Sequence, residues 1–272
     1  MRTPLRPSLR SAATAAIITA CLVFPSFAMA NNGGCSTHSL RGSYVVSITG
    51  FITSAPPEFA INAYSPVAVT GMFSFDGKGN VSRSLLVNFG GLPFPVADSG
   101  SYQVNPDCSG SARFSTNSEM FNFVPIDQST LAIVSATPGE TGGGTLAKQI
   151  ATRCTDDALE GVYVFNGSGL GTFQTPPQTT DAFFPVAVSG TWAFDGKGNV
   201  TRALSLNFAG LPGPYDDTGT YQVDADCSAS AYFPSDSEGF QLLVVDPKTI
   251  AFGVNTVGRL GAGVLLKAQQ GD

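Results

Sequence analysis

Histidine is almost missing from this chain: its 272 residues contain one, His38. A Ser-His-Asp or Cys-His centre needs an imidazole base, and a histidine-based metal site needs several imidazoles, so neither chemistry has its parts. Charged residues are sparse too, at 12%, and no segment carries a capped helical period, which argues against an α-helical fold. Basic side chains are the scarcer sign, 14 against 20 acidic. A surface with that balance repels phosphate backbones and anionic bilayers, which excludes nucleic acid and acidic membranes as partners. No CxxC pair occurs among the five cysteines, so a thiolate metal knuckle is excluded as well. No metal and no cofactor is expected.

What the chain does have is glycine (31 residues), phenylalanine (20 residues) and an apolar content of 43%. That is enough to build a core, in the composition of short strands and many turns. The first thirty residues stand apart. Arg2, Arg6 and Arg10 form a basic start, Ala12 to Phe27 is mostly apolar, and Ala28-Met29-Ala30 supplies a small-x-small cleavage pattern. Residues 1–30 therefore read as a signal peptide of a secreted or periplasmic protein. A competing reading takes Ile18-Thr19-Ala20-Cys21 as a lipoprotein box that acylates Cys21. Removing the three arginines of this segment from the fourteen basic residues leaves 11 against 20 acidic, a formal charge of −9 with no membrane span in the mature chain.

The decisive pattern is internal. Cys35–Lys148 superposes on Cys154–Lys267, a displacement of 119 residues, without a gap and with nearly half of the positions identical. Phe75-Asp76-Gly77-Lys78-Gly79-Asn80-Val81 returns as Phe194-Asp195-Gly196-Lys197-Gly198-Asn199-Val200, and Asp107-Cys108-Ser109 as Asp226-Cys227-Ser228. A period this long marks a duplicated domain and not a solenoid. The two repeats span 35–150 and 154–270 and, joined by a short linker, are expected to pack on each other.

Within one repeat, alternation and turn residues predict strands near Gly42–Thr49, Pro66–Phe75, Val81–Phe89, Gly100–Asn105, Ser109–Ser115, Glu119–Ile126, Thr130–Ala136 and Gly144–Ile150. The Asp-Gly-Lys-Gly-Asn run lacks the ligand spacing of a calcium loop and the Lys-Ser/Thr ending of a phosphate loop; it reads as a hairpin turn. Eight hairpin-linked strands predict an all-β chain of two tandem, up-and-down antiparallel barrels, with β-sandwiches as the alternative. Each repeat carries two cysteines at equivalent positions. An even count in an exported chain points to disulfides, with Cys35–Cys108 and Cys154–Cys227 as the expected pairs and a cross-link between repeats as the alternative.

Arg83, repeated as Arg202, lies in phase with Val81, Leu85 and Phe89. If that face points inward the arginine enters the barrel and needs a partner, because a lone buried charge is costly. Glu119 and its twin Glu238 are the candidates, with Asn88 and Asn207 nearby in sequence. This set could orient a polar or carboxylated ligand, or be a structural ion pair or a solvated strand face. Asp98, Asp107 and Asp127 and their twins Asp217, Asp226 and Asp246 read as turn residues. The recurring aromatics, Phe73/Trp192 and Phe75/Phe194 among them, read as core. Mouth-loop contacts would come from Pro56, Pro57, Phe59 and Tyr64, from Pro176, Pro177, Phe183 and Phe184, and from the loop Gly91-Leu92-Pro93-Phe94 and its twin Gly210-Leu211-Pro212-Gly213.

The set Leu40-x-Gly42-x-Tyr44, Phe75 to Val81, Gly100-Ser101-Tyr102 and Asp107-Cys108-Ser109-Gly110 resembles a group of exported, largely uncharacterised bacterial tandem-repeat β proteins. The architecture is similar to calycin-type and allene-oxide-cyclase-like barrels, which implies a site for an apolar small molecule. The expected function is a non-enzymatic binding module for a small apolar ligand or a structural surface component. The alternative is a barrel isomerase or cyclase anchoring its substrate on Arg83/Glu119 and Arg202/Glu238. No catalytic motif carries over.

Overall fold

The computed structural model describes residues 34–53, 64–151, 153–178 and 180–269. The segment read as a signal peptide, Cys21, and loop residues Pro56, Pro57 and Phe59 lie outside them. In the first repeat β1 (Arg41–Thr53), β2 (Tyr64–Asp76), β3 (Asn80–Phe89), β4 (Leu92–Val104), β5 (Gly110–Phe114), β6 (Met120–Pro125), β7 (Thr130–Ser135) and β8 (Glu140–Lys148) pair in sequence order. The sheet closes where β8 pairs with β1, from Tyr44 opposite Lys148 to Ile52 opposite Glu140. Closure settles barrel over sandwich.

The second repeat runs β9 (Gly161–Gly171), β10 (Phe184–Phe194), β11 (Asn199–Phe208), β12 (Leu211–Val223), β13 (Ser228–Phe233), β14 (Glu238–Asp246) and β15 (Thr249–Val254). Its last strand is broken at Gly261 into β16 (Arg259–Leu260) and β17 (Ala262–Lys267), and both pieces close the barrel on β9. Helix is confined, among the described residues, to short 3-10 turns such as Thr37–Ser39 and Asp156–Leu159. Among the described residues no helix is long and apolar enough to cross a membrane.

Curling eight strands into a tube requires sharp bends, and glycine supplies them where a side chain would collide. A Cβ on Gly71 in β2 would stand 2.3 Å from the Ser84 carbonyl oxygen, and one on its twin Gly190 2.1 Å from that of Ala203. The hairpin after β2 is fixed by Asp76, whose Oδ1 accepts from the amides of Lys78 (2.6 Å) and Asn80 (3.0 Å). Asp195 does the same for Lys197 and Asn199.

Alternate residues face the lumen and build an aromatic core. Phe75 packs edge-on against Tyr102 at 4.9 Å and Phe73 against Phe114 at 5.2 Å. Trp192 meets Phe233 and Phe240 at 5.1 and 4.9 Å in the second barrel. One end of each barrel is sealed. Tyr102 Oη lies within donating distance of the Thr37 (3.0 Å) and Leu40 (2.7 Å) carbonyls, at the start of and just after the 3-10 turn that enters the first repeat. Tyr221 Oη donates to the Asp156 carbonyl (2.9 Å) in the turn that enters the second. Disulfides Cys35–Cys108 and Cys154–Cys227 join the same regions, a pattern suited to an oxidising compartment.

β4 differs from expectation. It begins at Leu92, eight residues before Gly100, and so includes Pro93 and Pro95. These prolines pair with Asn88 and Leu86 of β3, but β5 reaches only Gly100–Val104 of β4. The first half of β4 is therefore an edge, where a missing N–H removes no ladder bond.

The barrels pack together through different faces. Val45 of β1, with Ala147 of β8 beside it, packs against Leu243, Val245 and Ala251 of the second barrel. Thr70 Oγ1 donates to the Phe252 carbonyl (3.1 Å), and Asn88 Nδ2 donates to those of Val254 (3.2 Å) and Arg259 (2.6 Å). The turn between β3 and β4 reaches the open end of the second barrel: Gly90 O accepts from the Gln178 amide and Gly91 O from that of Gly258.

Candidate functional site

Arg83 and Arg202 point inward, as their phase with Val81 and Val200 requires, and both are buried. Each is held by two carboxylates. Arg202 Nε and Nη2 form a fork with Asp217 Oδ1 and Oδ2 at 2.6 and 3.1 Å, while Nη1 bonds Glu238 Oε2 at 2.5 Å. Arg83 repeats the fork with Asp98, Nη2 at 3.2 Å from Oδ2, and pairs through Nη1 with Glu119. A phenylalanine ring, Phe114 or Phe233, lies 3.9 Å beneath each guanidinium. Three of the five N–H donors of Arg202 are thereby committed to carboxylates and one of its faces to Phe233, so its charge is already compensated before any carboxylate ligand could reach it.

Asp98 and Asp217 correct the sequence reading: they are strand residues directly opposite Arg83 and Arg202 in the β3–β4 and β11–β12 registers. Burial pulls the Asp217 carboxyl upward, but hydrogen bonds from Arg202 and Ser235, with the Arg202 charge, hold it below the ordinary carboxylate range. Asp98 is lowered against burial by Arg83 and Thr116 in the same way. Asn88 and Asn207 do not join this cluster. Being odd-numbered steps from Arg83 and Arg202, they project from the opposite face of their strands. Asn88 is buried between the barrels and Asn207 is exposed.

The clusters differ at two charged positions, since Arg259 and Asp236 stand where the first repeat has Glu140 and Asn117. Arg259 in the second barrel bonds Asp236 (3.0 Å) and Glu238 (2.8 Å); the equivalent residue in the first barrel is Glu140, whose Oε2 accepts from Ser135 Oγ. Burial raises the Glu140 carboxyl, and the Glu119 charge raises it further against that hydrogen bond. A carboxyl raised by folding adds stability below its unfolded pKa, about 4.3 for glutamate, and loses it as pH rises through the folded value. Glu140→Gln should therefore raise the thermal midpoint at neutral pH and leave it unchanged at a pH of about 4; thermal melts followed by circular dichroism at the two pH values check this, and equal shifts at both would refute it.

Above the Arg202 cluster the second barrel is hollow. A cavity of about 380 Å³ is lined by Phe165, Val188, Leu204, Leu206, Phe240 and Phe252, among others, with Arg202, Asp236, Glu238 and Arg259 in its wall. Small residues help to open it: Gly167 faces the lumen at the position that Ile48 fills in the first core. Trp192 replaces Phe73 and leaves its Nε1–H without a hydrogen-bond partner. The closing seam is also looser than in the first barrel. β9 pairs with β17 through Phe165 and with β16 from Leu170, leaving residues 166–169 unpaired on that side. A second hollow of about 280 Å³ between the barrels shares Ser168, Gly169, Leu170, Leu260 and Gly261 with the lumen. At the rim, Phe173, Phe184 and Phe208 cluster with ring centres 5.8–5.9 Å apart, Phe173 almost fully exposed.

Sequence reasoning missed this hollow. The signal was the exchange of Ile48 for Gly167 in an otherwise apolar strand position, visible only once the two repeats are compared residue by residue for volume.

No protein-family model matches the chain, and no curated protein matches it. Among solved structures, a Nostoc punctiforme protein of unknown function from the DUF3598 family aligns over 85% of this chain and 97% of its own, at 11% identity and a TM-score of 0.28.

Proposed function

We propose that the second barrel binds a small, uncharged, apolar molecule. The observation that carries this reading is the lumen itself: a cavity of about 380 Å³, within the size range of ligand sites, walled by Phe, Leu and Val. The charged residues in its wall, Arg202, Arg259, Asp236 and Glu238, pair with one another and with Asp217 behind Arg202, which leaves the cluster one negative charge in excess. That excess disfavours an anionic head group. The exposed phenylalanines at the rim give an apolar molecule a path of contact from solvent to lumen.

The test is titration of the purified chain with N-phenyl-1-naphthylamine, a neutral apolar probe that fluoresces on leaving water. Leu206→Trp fills the lumen from β11, and Gly167→Ile restores the side chain of the first barrel. Each is expected to weaken binding at least about tenfold, the loss of roughly 1.4 kcal/mol or two buried methylenes, with the fold retained by circular dichroism. Undiminished binding in both folded variants would remove the lumen as the site.

A further inference from the structure

The barrel–barrel joint uses two different faces, and each barrel possesses both. The first barrel docks through a face carrying Val45 of β1 and Ala147 of β8, which are paired neighbours. The second receives it on a face carrying Leu243 and Ala251, also paired neighbours, together with Val245. By the repeat, the unused docking face of the second barrel carries Val164 and Leu266, paired neighbours on β9 and β17. The unused receiving face of the first barrel carries Val124 and Ala132, paired on β6 and β7, together with Ile126.

All four of the large residues at these unused positions are apolar and exposed. Val45 and Leu243 are 2% exposed in the joint, whereas their counterparts Val164 and Val124 are each 49% exposed. Ile126 and Leu266 are more exposed still, and Val162 and Val264 extend the docking patch, Val134 the receiving one. The polar clasp is duplicated as well. Asn207 and Ser189 stand where Asn88 and Thr70 stand, and Asn207 is exposed. The groups that Asn88 and Thr70 reach are main-chain carbonyls, which the first barrel also offers whatever its side chains.

We propose that the partner of these faces is a second copy of this chain, joined head to tail: the docking face of one chain's second barrel on the receiving face of the next chain's first barrel. The contact is heterologous, so an open assembly leaves one free face of each kind at its ends and closes only where the repeated rotation brings those ends together. Several positions set the joint between chains apart from the joint within, among them Leu266 for Ala147, Val124 for Leu243 and Ile126 for Val245, and the tightest lies at Gly253. A Cβ on Gly253 would stand 2.4 Å from Thr70 Oγ1, and the equivalent of Gly253 in the first barrel is Val134. Ser189 in place of Thr70 keeps the oxygen and the Cβ that make this close contact, so the joint between chains needs a wider approach at this corner. The contact between chains is accordingly weaker than the one inside the chain.

Sedimentation of the purified chain over a concentration series tests this. The wild type should show an average mass that rises with concentration above that of one chain. Ile126→Lys blocks the receiving face and Leu266→Lys the docking face; both sites are exposed, so the fold is unaffected, and each variant alone should associate at least tenfold more weakly. An equimolar mixture retains one good face of each kind and should form a two-chain complex and nothing larger. A wild type that stays monomeric at its highest soluble concentration, an association left unweakened by either lysine, or a mixture that remains monomeric would each overturn the proposal.

Discussion

Arg202→Met is expected to cost the second barrel about 3–5 kcal/mol, the loss typical when one member of a buried ion pair is removed. The substitution strips Asp217 of both fork bonds and Glu238 of one, leaving two carboxylates with little access to water. Guanidinium chloride denaturation of the folded variant would report the loss as a lower midpoint at unchanged slope. A triple variant, Arg202→Met with Asp217→Leu and Glu238→Met, removes the uncompensated charges along with the arginine and should be less destabilised than the single variant. A triple variant as unstable as the single one would show that the guanidinium acts through its packing on Phe233 and not through charge. Acid should mimic the single variant in part. Folding lowers the Asp217 carboxyl, so its contribution is complete above the unfolded pKa of about 3.9 and disappears as pH falls through the lower folded value.

Removing one disulfide should have an effect of similar size. Cys154 and Cys227 are 73 residues apart in sequence, and the loop-entropy model assigns such a closure about 4 kcal/mol. Cys154→Ser with Cys227→Ser should lower the stability of the second barrel by that amount, read as a lower denaturation midpoint. The loss should fall at the sealed end, where Tyr221 hydrogen-bonds the 3-10 segment, and hydrogen exchange should locate it there. Unaltered stability after removal of both sulfurs would mean that the tyrosine contact and Leu159 hold that end by themselves.

The barrel was legible because its determinants are local and repeated: period-two alternation in β2 and β3, glycine-bearing hairpins, and cysteines at matched positions. Arg83 could be placed inward by phase alone. Its partner Asp98 could not, because Pro93 and Pro95 look like a loop until one knows that β5 leaves half of β4 unpaired. Asn88 was grouped with Arg83 by nearness in sequence although the five-residue interval puts them on opposite faces. The hollow lay furthest from view, since it depends on the summed volume of side chains drawn from many strands, and Gly167 is only one term in it.

Duplication commonly yields two self-sufficient units, and the contacts of the β3–β4 turn argue for a less even arrangement. Gly90 and Gly91 accept amides from Gln178 and Gly258, and Gly258 borders the cavity of the other repeat. The hollow copy thus borrows the stiffness of its entrance from its neighbour. Cutting the chain at residue 152 and isolating the C-terminal half would set that entrance loose even where the barrel itself survives.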